Sequence, residues 1–399
     1  MNRTTEGEYQ MQDRTTLSII QNLMRDYASQ TGLAPADAHP WRYLWTDAFA
    51  VCNYLELFRQ TNDIAYQDLS LWLVDQVHQV LGRYRPDDLR KGWISGLSEE
   101  EGKRHPTRGG LRIGKELPER GPGDPSDPKE WDRDGQYYHY LTKWMHALCR
   151  VSRVTGEPHY NVWARELAKV AHARFTYTPR LGGRKRMYWK MSTDLTRPLI
   201  TSMGQHDPLD GYVTYLELQT TATKDFSGAG PDLGAEIADM AKICGGMSLA
   251  TDDPLGIGGL LSDASRIGQL MVQNGTGYAD LLESILEASL LGLDSFARSG
   301  TLRMPAEYRL AFRELGFSVG LRGVAGLQQI IREHTEQYRE RPNLPSLVED
   351  LMHSIPLADR IEQFWLEPGN RETETWTRHQ EINTVMLATS LAPMGFLSV

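Results

Sequence analysis

The chain has 399 residues, of which 40% are hydrophobic and 24% charged, the balance of an ordinary soluble globular protein. Its formal net charge of -9 leaves no overall basic field for a polyanion, so nucleic acid is not an expected partner. No stretch approaches the roughly 20 apolar residues that span a bilayer, and MNRTTEGEYQMQDRTT at the start has no apolar signal core, so a cytoplasmic location without membrane attachment is expected. The three cysteines, Cys52, Cys149 and Cys244, are far apart and form no CxxC pair, which reads as reduced core thiols.

Residues 1–13 read as a flexible N-terminus and 14–399 as a single domain, with a first helix predicted over 14–30. The next, over 40–61, carries Trp41, Leu44, Trp45, Ala48, Cys52 and Leu55 on one face and Tyr43, Val51, Tyr54 and Phe58 on the other. A helix that is apolar nearly all round is internal, so Asp47 is a charge on an internal helix. Its successor over 64–83 has a one-sided stripe of Leu69, Leu73, Val77, Val80 and Leu81, hence a solvent face. A long connection over 84–133 leads to 134–155, again apolar all round, and then to 158–175. The second long connection, 176–207, contains RMYWKMS (Arg186 to Ser192), which reads as a small β-hairpin strand. Helices over 208–222 and 233–244 precede a third long link, 245–257. Those over 258–273, 277–298, 306–333, 344–366 and 375–391 complete the set. Gly316, Gly320, Gly323 and Gly326 recur at helical spacing and permit the close packing an inner helix needs. Twelve helices, buried alternating with half-exposed, make six pairs. The expected fold class is all-α, an (α/α)6 toroid with long rim loops and a small β-hairpin.

This pattern, with YLWTDAF (Tyr43 to Phe49) followed by LFRQTND (Leu57 to Asp63), resembles the six-hairpin glycosidase superfamily. It is loosely similar to the unsaturated glucuronyl and rhamnogalacturonyl hydrolases, in their W-x-D-A segment and helix-ending T-G-D. LTKWMHALCRVSRVTGEPHY (Leu141 to Tyr160) has the same texture, and the N-acylglucosamine 2-epimerase group is more distantly similar. The resemblance implies a closed ring that binds carbohydrate where its inner helices begin. It also implies two facing aspartates on successive inner helices, Asp47 and Asp134, although the 84–133 insertion between them departs from the family.

Inner helices that start at one rim would gather Trp41, Trp45 and Asp47 with Asp132, Asp134, Gln136, Tyr138, His139 and Lys143. Gln205, His206, Asp207 and Asp210 would join them, as would Asp252, Asp253, Glu307, Arg309, Trp376, His379 and Asn383. Glycoside hydrolysis needs one protonated and one ionised carboxyl group. Asp134 is the expected general acid or base, with Asp47 or Asp207 as the second carboxylate. Expected substrate contacts are Asp210, His206, His139, Lys143, Gln136, Tyr138, Trp45, Arg108, Arg112, Trp376 and His379. Plainer readings stand beside these. Asp207-Pro208 and Asp253-Pro254 spell helix starts, Asp134 can cap its own helix, and the tryptophans suit a core.

Two loops are rich in bases. HPTRGGLRIGKELPER brings Arg108, Arg112 and Lys115, and TPRLGGRKRMYWK brings Arg180, Arg184, Lys185, Arg186 and Lys190. They hint at an anionic sugar, although Glu116, Glu119, Asp124, Asp127 and Glu130 offset the first. No metal or nucleotide motif occurs, so neither a metal nor another cofactor is expected. The expected function is a glycoside hydrolase acting on an intracellular, conceivably acidic, oligosaccharide. One alternative is a sugar epimerase using His206 and His379 as a proton-transfer pair; another is a non-catalytic helical binding protein.

Overall fold

The computed structural model describes residues 3–125, 128–225, 229–275, 277–338 and 341–399. Its longer helices are α1 (Arg3–Gln30), α2 (Leu44–Thr61), α3 (Ile64–Leu81), α4 (Tyr138–Thr155), α5 (Pro158–Phe175), α6 (Asp207–Asp225) and α7 (Gly234–Cys244). They continue as α8 (Pro254–Asn274), α9 (Ala279–Ser299), α10 (Ala311–Glu333), α11 (Asn343–Met352), α12 (Pro356–Leu366) and α13 (Gln380–Leu391).

Helices α2, α4, α6, α8, α10 and α13 pack each on the next, and α13 returns to α2, so they close a ring. Outside it, α3 lies on α2, α5 on α4, α7 on α6, α9 on α8, and α11 with α12 on α10. The outer partner of α13 is α1, so the first helix completes the last pair. This is the (α/α)6 toroid expected from the alternation of patterns, with the expected helices inside. Burial explains the sorting. Every residue of α2 from Leu44 to Leu57 is buried, whereas α3 buries only a stripe running through Ser70, Leu73, Val74, Val77, His78 and Leu81. Where α8 crosses α10 the backbones touch. A Cβ added to Gly258 would stand 2.2 Å from the Gly316 carbonyl oxygen, and one on Gly320 would stand 2.4 Å from that of Gly258. The helical glycine spacing therefore serves the crowding of an inner ring.

Departures from the predicted elements have local causes. α4 starts at Tyr138 because Gln136–Tyr137 form a strand, β1. The helix predicted over 344–366 is two, α11 and α12, with Pro356 opening the second, since proline starts a helix readily but does not continue one. The stretch read as a hairpin strand bridges two small sheets. Its first part, Arg186–Met187 (β3), pairs with Thr176–Tyr177 (β2). Its second part, Lys190–Met191 (β4), lies between β1 and Pro198–Ile200 (β5). Trp189 sits between the two parts. Beyond α13 the chain turns back, and the short helix Met394–Leu397 enters the end of the ring opposite the starts of the inner helices, packing on α2 and α8. Among the described residues no helix is long and apolar enough to cross a membrane.

Candidate active site

Three adjacent inner helices carry polar side chains at helical spacing on faces that meet inside the ring. On α4 these are His139, Thr142, Lys143 and His146; on α6, Asp207, Asp210, Thr214 and Glu217; on α8, Ser262, Asp263 and Arg266. Spacings of three and four residues place each set on one face. The other inner helices contribute mostly apolar groups, including Trp45 and Phe49 from α2, Val319 from α10 and Met386 from α13. Between the two halves lies a cavity of about 300 Å³ at the starts of the inner helices, with Phe396 also in its lining.

Charge decides the state of the polar half. Asp210 accepts from Lys143 Nζ at 2.7 Å and Thr142 Oγ1 at 2.5 Å, with Arg266 Nη1 at 3.7 Å. Burial alone would raise its pKa, but Lys143 and Arg266 outweigh burial and hold it below the usual carboxylate range. Arg266 also donates to Glu217 at 2.5 Å and to Asp263 at 3.2 Å. Burial pushes Glu217 upward, but His146 and Arg266 prevail and keep it ionised. Two cations, Lys143 and Arg266, are thus matched by two anions, Asp210 and Glu217. Asp263 shares Arg266 with Glu217, and Asp207 has no cation within hydrogen-bond reach among the described residues. Burial, followed by the negative charge of Asp210, raises each to about 7. Asp207 Oδ2 is buried and accepts no hydrogen bond among the described residues. Gly204 leaves room for this carboxyl group, since a Cβ there would stand 2.5 Å from its Cγ.

The histidines at the mouth are neutral near pH 7. Trp189 Nε1 donates to His139 Nδ1 at 3.2 Å, so the ring proton is on Nε2. Burial first, then Lys143, lowers the His139 pKa to about 4. The imidazole lies 3.7 Å from Asp207 Oδ1, beyond a hydrogen bond. His206 Nε2 donates to the Leu249 carbonyl at 2.7 Å, which leaves Nδ1 as an acceptor, and burial lowers its pKa.

Of the residues expected at the site, Asp207, Asp210, Gln205, His206, His139, Lys143, Trp45 and Asp253 line the cavity. The others are elsewhere. Asp47 is fully buried, accepts from the Tyr27 hydroxyl, Tyr43 N–H at 3.0 Å and Arg42 at 3.4 Å, and does not line the cavity. Asp134 neither lines the cavity nor caps α4, whose N-cap is Tyr137. It is paired with Arg112 and accepts from the backbone of Gly114 and Gly135, each at 3.0 Å. Arg112 is spent in that pair, and Arg108 binds Glu166 at 2.8 Å. Gln136 ties its strand to Leu111, Gly109 and Thr193 through backbone groups. Tyr138 is buried with its hydroxyl on Tyr215. Trp376 packs on Trp365 in the core, and His379 stands edge-on to Phe312 outside the cavity lining. Asp253, in the lining, occupies the N-cap position of α8 without capping it and is paired with Arg313 at 2.7 Å.

The basic loops follow the same rule of local pairing. Arg120 binds Glu130 at 3.0 Å, as does Lys190; Lys185 binds Asp239 at 2.5 Å, and Arg184 bonds the Gly245 carbonyl. Asp127 lies outside the described residues. The sequence reading missed Asp263, Arg266 and Glu217. The signal was present, because each is a charge inside an apolar helix, the feature that singled out Asp47.

No family model matches the sequence, and no curated protein matches it. Three solved structures align over most of its length. The GH76A α-1,6-mannanase of Salegentibacter sp. HEL1_6 is 12% identical with a TM-score of 0.48, covering 94% of this chain and 99% of that one. The cellobiose 2-epimerase of Spirochaeta thermophila DSM 6192 is 11% identical at TM-score 0.43, covering 86% and 98%. That of Bacillus thermoamylovorans B4167 is 10% identical at 0.44, covering 86% and 87%. At such values the likenesses carry no inference about chemistry.

Proposed function

We propose that the protein is a glycoside hydrolase working by carboxylate catalysis on a neutral oligosaccharide, with Asp207 as general acid and Asp210 as the ionised partner. One observation carries this reading: two carboxyl groups a single turn apart on α6 line one cavity, where Asp210 is paired with Lys143 and burial raises Asp207 to about 7. Asp207 has a proton to give near neutral pH and a bare oxygen beside it. Asp210 is fixed as an anion by Lys143, Thr142 and Arg266.

In the reaction Asp207 donates its proton to the glycosidic oxygen as the bond to the anomeric carbon breaks. Asp210 attacks that carbon and forms a glycosyl ester. Asp207, now ionised, takes a proton from water, whose oxygen displaces Asp210 and releases the sugar. Side chains at this spacing on a helix are about 5–6 Å apart at Cβ. That suits the roughly 5 Å carboxyl separation of a retaining enzyme better than the wider inverting gap. A neutral substrate is favoured because the cavity cations are already matched by acids, and Arg108 and Lys185 of the basic loops are bound locally. The free thiols Cys52, Cys149 and Cys244 fit an intracellular, reducing setting.

The second reading, epimerisation of a free sugar, is favoured by His206, whose Nδ1 can take a proton at the cavity. Its expected partner His379 is not in the lining, where the second histidine is His139. The test is incubation with α- and β-linked glucose and mannose di- to tetrasaccharides, followed by proton NMR. The expected outcome is new reducing ends with retained anomeric configuration, lost in Asp207→Asn and Asp210→Asn. Interconversion of C2 epimers without bond cleavage would establish the second reading instead.

A further inference from the structure

We propose that Phe396 is the specificity-determining residue of the cavity, the floor that makes it a closed cup fitted to the end of a sugar chain. This rests on the reading of the cavity as a saccharide site. Phe396 comes from outside the ring of inner helices, on the short helix that enters the far end of the barrel. Its ring stacks on Phe49 with centroids 4.3 Å apart and meets His146 edge-on at 5.0 Å. It lines the cavity while only 4% exposed, so little of the ring is open and the rest is packed beneath.

The segment is built in. His146 Nε2 donates to the Phe396 carbonyl at 2.7 Å, and Gln269 donates to the Leu397 carbonyl at 2.8 Å while accepting from Val399 N–H at 3.1 Å. Gly395 lies against α2, where a Cβ would stand 2.8 Å from the Cys52 carbonyl oxygen. The other ring nitrogen of His146 faces Glu217, which binds Arg266, the neighbour of Asp210 and Asp263. One hydrogen-bonded chain therefore joins the floor to the acids.

The consequence is an amphipathic cup. Phe396, Phe49, Met386 and Val319 make one wall apolar, and the aspartates with Lys143 make the other polar. A hexopyranose ring has a C–H face and a rim of hydroxyl groups, and it fits such a cup with its C–H face toward the apolar wall. With the far end plugged, a chain cannot thread the barrel, so the sugar seated on Phe396 is the last of its chain.

The test is binding of methyl hexopyranosides and the matching di- and trisaccharides, followed by tryptophan fluorescence, which Trp45 and Trp189 report from the lining. Wild-type binding is expected to be set mainly by the terminal sugar. Phe396→Ala is expected to weaken the monosaccharide at least about tenfold and the trisaccharide less, with Phe396→Leu intermediate. Gln269→Ala, which loosens the tail without altering the lining, is expected to keep the wild-type order of preference. Equal weakening at every chain length, in parallel with a lower melting temperature, would reduce Phe396 to a packing residue and overturn the inference while leaving the hydrolase reading intact. A wild-type protein that binds none of these sugars would overturn both.

Discussion

Two groups of buried aspartates lie in this ring and differ in how their charge is met. Near the rim, Asp47 and Asp134 each have an arginine, and backbone or hydroxyl donors cover their oxygens. Inside the cavity, Asp207, Asp210 and Asp263 outnumber Lys143 and Arg266, and Glu217 takes part of what Arg266 offers. Burial is common to both groups. Burial raises Asp47 as well, against Arg42 and its hydrogen bonds, so what sets Asp207 apart is a place in the cavity with an oxygen that no donor covers.

The largest effect expected from breaking this contrast is on turnover. Asp207→Asn should lower kcat by about 10²- to 10⁴-fold, the usual worth of a general acid, without lowering the melting temperature. Asp210→Asn should lose activity and stability together, because Lys143 and Arg266 lose a partner. The converse holds at the rim. Asp47→Ala or Asp134→Ala should cost about 3–5 kcal/mol in denaturant unfolding, since each leaves a buried arginine uncompensated, while turnover per folded molecule is kept.

Acidity sharpens the same contrast. Asp207 must be protonated to act, so activity should fall as pH rises through about 7. Stability has the same sign. The folded state holds protons on Asp207 and Asp263 that the unfolded chain releases near pH 4, so stability should decline between about pH 4 and 7, and less steeply in Asp207→Asn. The smallest effect belongs to Arg108→Ala. Arg108 is half exposed and Glu166 keeps His105 as a partner, so unfolding should shift by about 1 kcal/mol or less and activity not at all.

The ring was legible in the sequence because periodicity reports burial directly. Helices apolar on every side, such as α2, had to be internal, and those with one stripe, such as α3, had to be external. Apolar spacing continues across Pro356, so periodicity alone spells one helix where α11 and α12 stand. The site was half legible. Asp207, Asp210, His139 and Lys143 were reached through their place at inner helix starts. Asp47 and Asp134 were chosen by family resemblance and by burial, and neither reveals a partner. Arg42 and Arg112, which neutralise them, stand only 5 and 22 residues away in sequence, but side-chain pairing is a property of the fold. Asp263 and Glu217 lie deeper in their helices than the first turns, which is where a helix start marks a rim position.

The claim that one acid at the cavity is neutral beside another that is ionised can be measured without knowing the substrate. Carboxyl carbons of [13C]aspartate-labelled protein would be titrated by NMR in the wild type and in Asp207→Asn. The expected result is a resonance with a midpoint near 7 that the substitution removes, alongside an Asp210 signal whose midpoint lies below the ordinary aspartate value. Asp207 and Asp210 titrating together at ordinary aspartate values would contradict the division of roles.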